Sequence, residues 1–350
     1  MKKLISLLLV VSMLFSLGAC GQSGMPEDTT LAATEAAVSE TTAAPSHYPI
    51  TVTDHAGREV VIEEEPQRLV SCYYITSSLL MALGLEDRMV GIEDNPDYRP
   101  IYGLSAPGLL ELPWVGTAKT LDAEACAALN PDLVILPLRL KDSAEILESL
   151  GIDVLLVNPE SQVLLTEMIR MVAAAANTEE TGEALIAFLE TQEKYLTQML
   201  TGVETPTVYL AGNSSLLSTA GNAMYQSDMI RLAGGQNVAA EIPDSYWAEI
   251  DYEQLLVWDP EYIILASSAK YTAQDVLQDP NLAVCSAVIN GNVYQIPCDA
   301  ESWDSPVPSS ILGALWLANI LHPQQLTDSD CAAIMDEYYE TFYNFTYSEK

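Results

Sequence analysis

The stretch EACAALNPDLVIL, residues 124–136, is restated later in the chain as EQLLVWDPEYIIL, residues 253–265. Both copies run Glu, six residues, Pro, an acid, two hydrophobic residues, Ile and Leu. Two positions upstream stands a further shared acid, Asp122 or Asp251. Asp122 suits a helix N-cap, where its carboxylate accepts N–H groups that have no partner inside the helix. Glu124 then falls in the first turn, at the positive end of the macrodipole. Ala125–Leu129 continue the helix, Asn130-Pro131 stops it, and Leu133–Leu136 enter a sheet. Asp251, Glu253, Leu255–Trp258, Asp259-Pro260 and Tyr262–Leu265 repeat the scheme. Dipole complementarity alone explains each Glu at roughly a few tenths of a kcal/mol. The repetition, however, marks two pseudo-equivalent lobes.

Outward from the two frames, short apolar runs alternate with amphipathic ones. Leu69–Cys72, Met89–Ile92, Leu133–Pro137 and Val154–Val157 read as strands, as do Thr207–Ala211, Tyr262–Ala266 and Val293–Pro297. Apolar runs of this length separated by helices imply parallel sheets covered on both faces. The helices Thr76–Leu83 and Ser143–Leu150 stop at Gly84 and Gly151. Between the halves, Ser161 to Gly202 holds no strand signal. Its second part, Thr178–Leu200, carries Leu185, Ile186, Phe188, Leu189, Tyr195, Leu196 and Met199 as one stripe, which reads as a rigid joining helix. A helix near Asp328–Phe345 closes the chain. The fold expected is α/β: two Rossmann-like lobes with parallel sheets, residues 49–160 and 204–350, joined by a long rigid helical segment, 161–203, with a ligand cleft between the lobes.

The first residues read differently. Lys2 and Lys3 precede the apolar run Leu4 to Leu17, which ends in Leu17-Gly18-Ala19-Cys20. These are the marks of a secretory signal, 1–19, and the run is too short for an ordinary spanning helix. Cys after Leu-Gly-Ala resembles the bacterial lipobox, which implies that Cys20 is lipidated. The Thr-, Ala- and Ser-rich stretch that follows has too little apolar surface to fold, so 20–48 reads as a lipid-anchored flexible tether. The expected location is the extracytoplasmic face of a bacterial cell membrane.

With 49 acidic and 14 basic residues, the chain has a formal charge of -35. That excludes nucleic acid as a partner and adhesion to anionic lipid by charge alone. The five cysteines beyond Cys20 form no C-x-x-C, and no disulfide is assigned among them. Three scattered histidines, His47, His55 and His322, do not make a bare-metal site. No G-x-S-x-G, P-loop, G-x-G-x-x-G or H-E-x-x-H occurs, and Asn213-Ser214-Ser215 lacks the glycine frame of a hydrolase nucleophile. A surface-anchored hydrolase is therefore the weaker alternative, and no enzyme is expected.

The two frames and their surroundings resemble the bacterial substrate-binding proteins for ferric siderophores, haem and cobalamin. The matching text is Thr53-Asp54…Gly57-Arg58, Pro66-Gln67-Arg68-Leu69-Val70-Ser71, Leu83-Gly84-Leu85, Val90-Gly91-Ile92 and Val115-Gly116. It continues in Asn130-Pro131-Asp132-Leu133-Val134-Ile135, Leu150-Gly151-Ile152, Ala233-Gly234-Gly235-Gln236-Asn237-Val238, Asn292-Val293-Tyr294 and Leu312-Gly313. The resemblance spans about residues 50–325. It implies a monomeric binding protein that captures a chelated metal as ligand rather than cofactor and delivers it to an ABC permease and its ATPase. Some relatives bind an oxyanion such as molybdate instead. It also implies that Glu124 and Glu253 dock onto arginines of the two permease halves.

Candidate ligand contacts lie on strand–helix loops, where clefts of this kind take their polar and aromatic groups. They are Tyr73 and Tyr74 after the first strand, Tyr98 and Arg99 after the second, and Trp114 ahead of Val115-Gly116. Arg139 follows Leu133–Pro137. An arginine at a strand's carboxyl end suits an anionic chelate or a carboxylate. In the second lobe the candidates are Tyr246, Trp247, Trp303 and Asp304. The resemblance places Trp247 and Trp303 where cobalamin-binding relatives have ligand-facing aromatics.

Overall fold

The computed structural model describes residues 47–242 and 247–350. The signal segment, Cys20, nearly all of the tether and Tyr246 lie outside the described residues. Within the unit Ser46–Lys350, two α/β lobes each surround a sheet. The first sheet has the spatial order Met89–Gly91, Leu69–Ser71, Leu133–Pro137, Asp153–Val157, with every pair parallel. The second and third of these strands in the sequence thus flank the first from opposite sides. A topological switch point consequently falls between Leu69–Ser71 and Leu133–Pro137, and ligand crevices open at the carboxyl ends of such strands. An antiparallel hairpin, Ile50–Thr53 with Glu59–Ile62, precedes the sheet.

The second sheet has Thr207–Ala211, Tyr262–Leu265 and Val293–Gln295 parallel. Ser218–Ala220 joins its edge antiparallel to Thr207–Ala211 and to Trp247–Glu249. The expectation of parallel sheets therefore holds for the first lobe and for these three strands, while the second sheet as a whole is mixed. The antiparallel strands were invisible to hydrophobic patterning because each is three residues long and neither is an apolar run. Gln236–Asn237 adds a short parallel contact to Thr207–Val208.

Alternation along the strands divides the core. Leu133 and Ile135 face one cluster and Val134 and Leu136 another; in the second sheet Val208 and Leu210 are likewise separated from Tyr209 and Ala211. The inner faces of both sheets belong to one continuous cluster, which runs through the helices between them. The outer faces form separate clusters, and the repeated frames close them: Cys126 packs under the first sheet and Leu255 under the second. Both frame helices form as the capping argument requires. Asp122 accepts the Ala125 N–H at 2.9 Å at the start of Ala123–Ala128. Asp251 accepts the Gln254 N–H at 2.8 Å at the start of Tyr252–Trp258. The two helices are followed by a left-handed residue, Asn130 (φ 48°) and Asp259 (φ 43°), each directly before a buried proline. Asn and Asp adopt that conformation at lower cost than other residues with a side chain.

The joining segment is two helices, Gln162–Ala175 and Glu179–Met199, separated at Asn177 (φ 58°). They pack so closely that a Cβ on Gly182 would lie 2.6 Å from the Ala173 Cβ. The last helix, Asp328–Tyr343, packs on Ser310–Leu321 of the lobe that precedes it and also reaches beyond that lobe. It crosses back to the first lobe's Tyr74–Ala82, where the Tyr343 hydroxyl lies 2.8 Å from Ser78 Oγ. No helix among the described residues is long and apolar enough to cross a membrane.

Candidate functional site

A cavity of about 250 Å³ lies between the lobes. Tyr74, Ser78, Tyr98, Arg99 and Tyr102 line it from the first lobe; Ser268, Cys298, Glu301, Ser302 and Val307 line it from the second. Every lining segment follows a strand's carboxyl end, so the sheet topology itself delivers these groups. Tyr74 opens the helix after Leu69–Ser71, and Arg99 ends a short turn that follows Met89–Gly91 and begins at left-handed Asn95 (φ 57°). Cys298 to Ser302 follow Val293–Gln295. The backbone joins the two sides directly, since the Ile101 N–H donates to the Ala300 carbonyl at 3.1 Å.

Arg99 is the cation of the cavity wall. Its guanidinium carbon sits 3.6 Å from the centre of the Tyr74 ring, and its Nε lies 3.8 Å from Glu93 Oε1. Stacking on an aromatic face orients the guanidinium and leaves its N–H fork available to an anion. Burial pushes the Tyr74 hydroxyl up to about 12, against the opposing charge of Arg99, so Tyr74 is a neutral donor at ordinary pH. Tyr73 is shifted upward by burial as well, with Arg139 and Arg99 acting against the shift. Two guanidinium charges therefore converge electrostatically on this tyrosine pair. Beside them Glu93 is buried, accepting from Ser77 Oγ at 2.6 Å and from the Tyr102 hydroxyl. Burial pushes its carboxyl above the usual range despite those hydrogen bonds and Arg99. Glu160 is shifted the same way by burial, with Arg139 opposing.

Of the ten ligand contacts expected from the sequence, Tyr74, Tyr98 and Arg99 line the cavity, and Tyr98 stands 86% exposed at its rim. Tyr73 is buried beside Tyr74, ring centroids 5.7 Å apart, and Arg139 is exposed just past Leu133–Pro137. Trp114 lies elsewhere, half-exposed in a groove that it shares with Asp94, Asp122, Glu124 and Ile146. Trp247 sits on the antiparallel edge, its ring against Gly212 at the end of Thr207–Ala211 and outside the cavity lining. Trp303 is only 1% exposed, and its Nε1–H donates to the Tyr339 hydroxyl at 3.0 Å, which makes it a core side chain. Asp304 is also buried; it accepts the Ser267 N–H at 3.0 Å and Ser267 Oγ at 2.6 Å, which fixes one loop to another.

The loop at 301–304 thus reaches the site, but through Glu301 and Ser302 instead of Trp303 and Asp304. Ser78, Tyr102, Ser268 and Cys298 were missed as well. Ser78 and Tyr102 are contributed by helix faces, for which loop position gave no signal. Cys72, Cys126, Cys285 and Cys331 are buried and free, and Cys298 is exposed and free. Among the described residues no group of three or more His, Cys, Asp or Glu could hold a metal ion. Glu124 and Glu253 are both exposed, and neither makes an ion pair or side-chain hydrogen bond among the described residues.

The sequence model of a family described as periplasmic binding protein matches residues 69–300. Among similar proteins, the molybdate-binding protein MolA of Haemophilus influenzae is 24% identical over 324 residues, which cover 85% of this chain and 91% of that one. The vitamin B12-binding protein of Salmonella choleraesuis is 25% identical over 73% of this chain and 90% of its own length. A periplasmic solute binding protein from Veillonella parvula superposes with a TM-score of 0.75 at 26% identity, covering 85% of this chain and 93% of that one. The molybdate-bound structure of MolA gives 0.76 at 24% identity, with coverage of 85% and 99%.

Proposed function

The chain belongs to the periplasmic binding protein family, a family of solute-binding proteins of ABC importers, and we propose that it captures a compact anionic metal species in the cleft between its lobes. The observation that carries this reading is Arg99, stacked on Tyr74 in the wall of a cavity of about 250 Å³. In a chain with 49 acidic and 14 basic residues, a guanidinium in a cleft is a specific arrangement, and it matches an oxyanion or carboxylate. The cavity lies just below the roughly 300–1,000 Å³ of drug-sized ligand pockets. A metal oxyanion such as molybdate, or a small anionic chelate, suits that volume. A ferric siderophore, haem or cobalamin is the second reading, supported by the cobalamin-binding relatives and by the aromatic rim at Tyr98; it requires the lobes to move apart.

Arg139 and Tyr73 complete the charge and donor set behind Tyr74 in this reading. Glu124 and Glu253 dock onto the permease, one from each lobe, and their matched helix starts give the pair a common geometry. Cys20 carries the lipid that keeps the chain at the membrane surface; Cys20→Ser releases the protein into the soluble fraction, and retention in the membrane fraction contradicts the anchor.

The test of the solute is a titration of the chain with molybdate, a ferric siderophore, haem and cobalamin, following tryptophan fluorescence and melting temperature. A saturable response to molybdate or to one compact anionic chelate supports the reading. A response to none of the four removes it.

A further inference from the structure

Glu301 stands in the cavity wall with 6% of its surface exposed, and three elements hold its carboxyl. Ser309 Oγ donates to Oε2 at 2.5 Å, the Tyr339 hydroxyl to the same oxygen at 3.4 Å, and Ser78 contacts Oε1. Ser78 belongs to the first lobe, Ser309 to the second and Tyr339 to the returning helix. The contacts accommodate a neutral acid without a wasted donor. Ser78 Oγ donates to the ionised carboxyl at Oε1; a proton on Oε1 would reverse that bond, with the Ser78 proton turning to the Tyr343 hydroxyl 2.8 Å away while Tyr343 donates to the Ser78 carbonyl at 3.2 Å.

We propose that Glu301 selects the charge of the cleft's occupant: with its proton on, the wall accepts an anion, and with the proton off it repels one. The proposal rests on the reading of the cleft as an anion site and goes beyond it by assigning the discriminating residue. Arg99 is the cation facing Glu301 from the first lobe, and Tyr338, Tyr339 and Tyr343 face it from the last helix. Its own loop carries Cys298, Asp299 and Asp304, and Lys350 pairs with Asp299 at 3.4 Å, not with Glu301. Burial pushes the Glu301 carboxyl above the usual carboxylate range, against the hydroxyls of Ser309, Ser78 and Tyr339 and the charge of Arg99. An ionised Glu301 would place a negative charge in the same small cavity as the solute. By linkage, anion affinity then falls about tenfold per pH unit above the carboxyl's pKa.

Cys298 supplies a readout that needs no solute, because it lines the same cavity and every other described cysteine is buried. In the full chain carrying Cys20→Ser, the rate of thiol–disulfide exchange with anionic 5,5′-dithiobis(2-nitrobenzoate) is divided by that with uncharged, non-titrating 2-hydroxyethyl disulfide. The ratio cancels the thiolate fraction. In the otherwise unchanged chain it falls by about threefold or more through one inflection as pH rises; with Glu301→Gln it stays at the low-pH value. Ser309→Ala, which removes a hydroxyl that favours the carboxylate, moves the inflection to higher pH and carries the test if the Gln variant does not fold. A ratio independent of pH, an identical inflection in Glu301→Gln, or an inflection that Ser309→Ala leaves in place overturns the proposal. Molybdate titrated in parallel separates the two claims: a responsive thiol ratio with no molybdate binding at any pH sinks the oxyanion reading and leaves Glu301's role standing.

Discussion

Reversing both frame glutamates, Glu124→Lys with Glu253→Lys, tests the docking geometry through charge alone. Both side chains are exposed and neither has an ion-pair partner within the described residues, so their removal disturbs no internal contact. Each sits in the first turn of a capped helix, and a cation there loses about 0.3–1 kcal/mol of dipole complementarity. That is small against a typical domain stability of about 5–15 kcal/mol. An exposed ion pair is worth about 0–1 kcal/mol, so two pairs contribute at most ~2 kcal/mol, or ~30-fold in docking affinity. Gln at both sites forfeits no more than that. Lys at both sites adds like-charge repulsion of several kcal/mol, which weakens docking by ~100-fold or more. The assay pairs uptake of the solute by cells carrying the permease and ATPase with solute affinity of the isolated protein. Uptake is expected to fall in the order wild type, double Gln, double Lys, at constant affinity. Unchanged uptake in the double Lys chain refutes the docking assignment, and a parallel loss of affinity relocates the two residues to the solute.

Two further outcomes follow from the packing. Trp303→Phe removes the Nε1–H bond to Tyr339 and part of a fully buried side chain; stability is expected to drop by about 1–3 kcal/mol in urea unfolding while solute affinity stays within about twofold. A tenfold loss of affinity at unchanged stability would return this indole to the ligand. Asp54→Asn breaks the pair in which Arg58 Nη2 lies 2.6 Å from Asp54 Oδ2. Burial alone would raise the Asp54 carboxyl, but the Arg58 and Leu156 hydrogen bonds and the Arg58 charge hold it below the usual range. A folded-state pKa below the unfolded value, about 3.9, means that the pair's stabilisation is present above that pH and fades as pH falls through the folded value. The variant should be about 3 kcal/mol less stable at pH 7, with the difference shrinking below about pH 4; a gap constant down to pH 3 contradicts the pairing.

The sequence carried the architecture because period and punctuation agree with it. Leu133–Pro137 and Thr207–Ala211 form with the bounds expected from their apolar runs, and Asp122 and Asp251 cap their helices. The strands Ser218–Ala220 and Trp247–Glu249 were not legible because three residues give no pattern, and their pairing comes from a neighbouring strand. The returning helix was visible, but its destination was not, since an apolar stripe does not say which lobe it meets. At the site, loop position found Tyr74, Tyr98 and Arg99, which are polar or half-polar groups at strand ends. Trp303, which the resemblance placed among ligand-facing aromatics, is instead enclosed by Tyr339 and Tyr347 from a distant segment. Glu301, in the same loop, was not among the expected contacts because its hydroxyl partners, Ser78, Ser309 and Tyr339, converge only in three dimensions.

Isothermal titration of molybdate into the wild-type chain and into one carrying Arg99→Met with Arg139→Met measures what the two guanidinium groups contribute to anion capture. A charge-assisted contact is worth about 1.5–3 kcal/mol, so losing two should weaken binding by ~100-fold or more. The predicted result is saturable one-to-one binding by the wild type and none in the same concentration range by the double variant, at similar melting temperatures. Equal binding by both chains would contradict capture of an anion by these arginines.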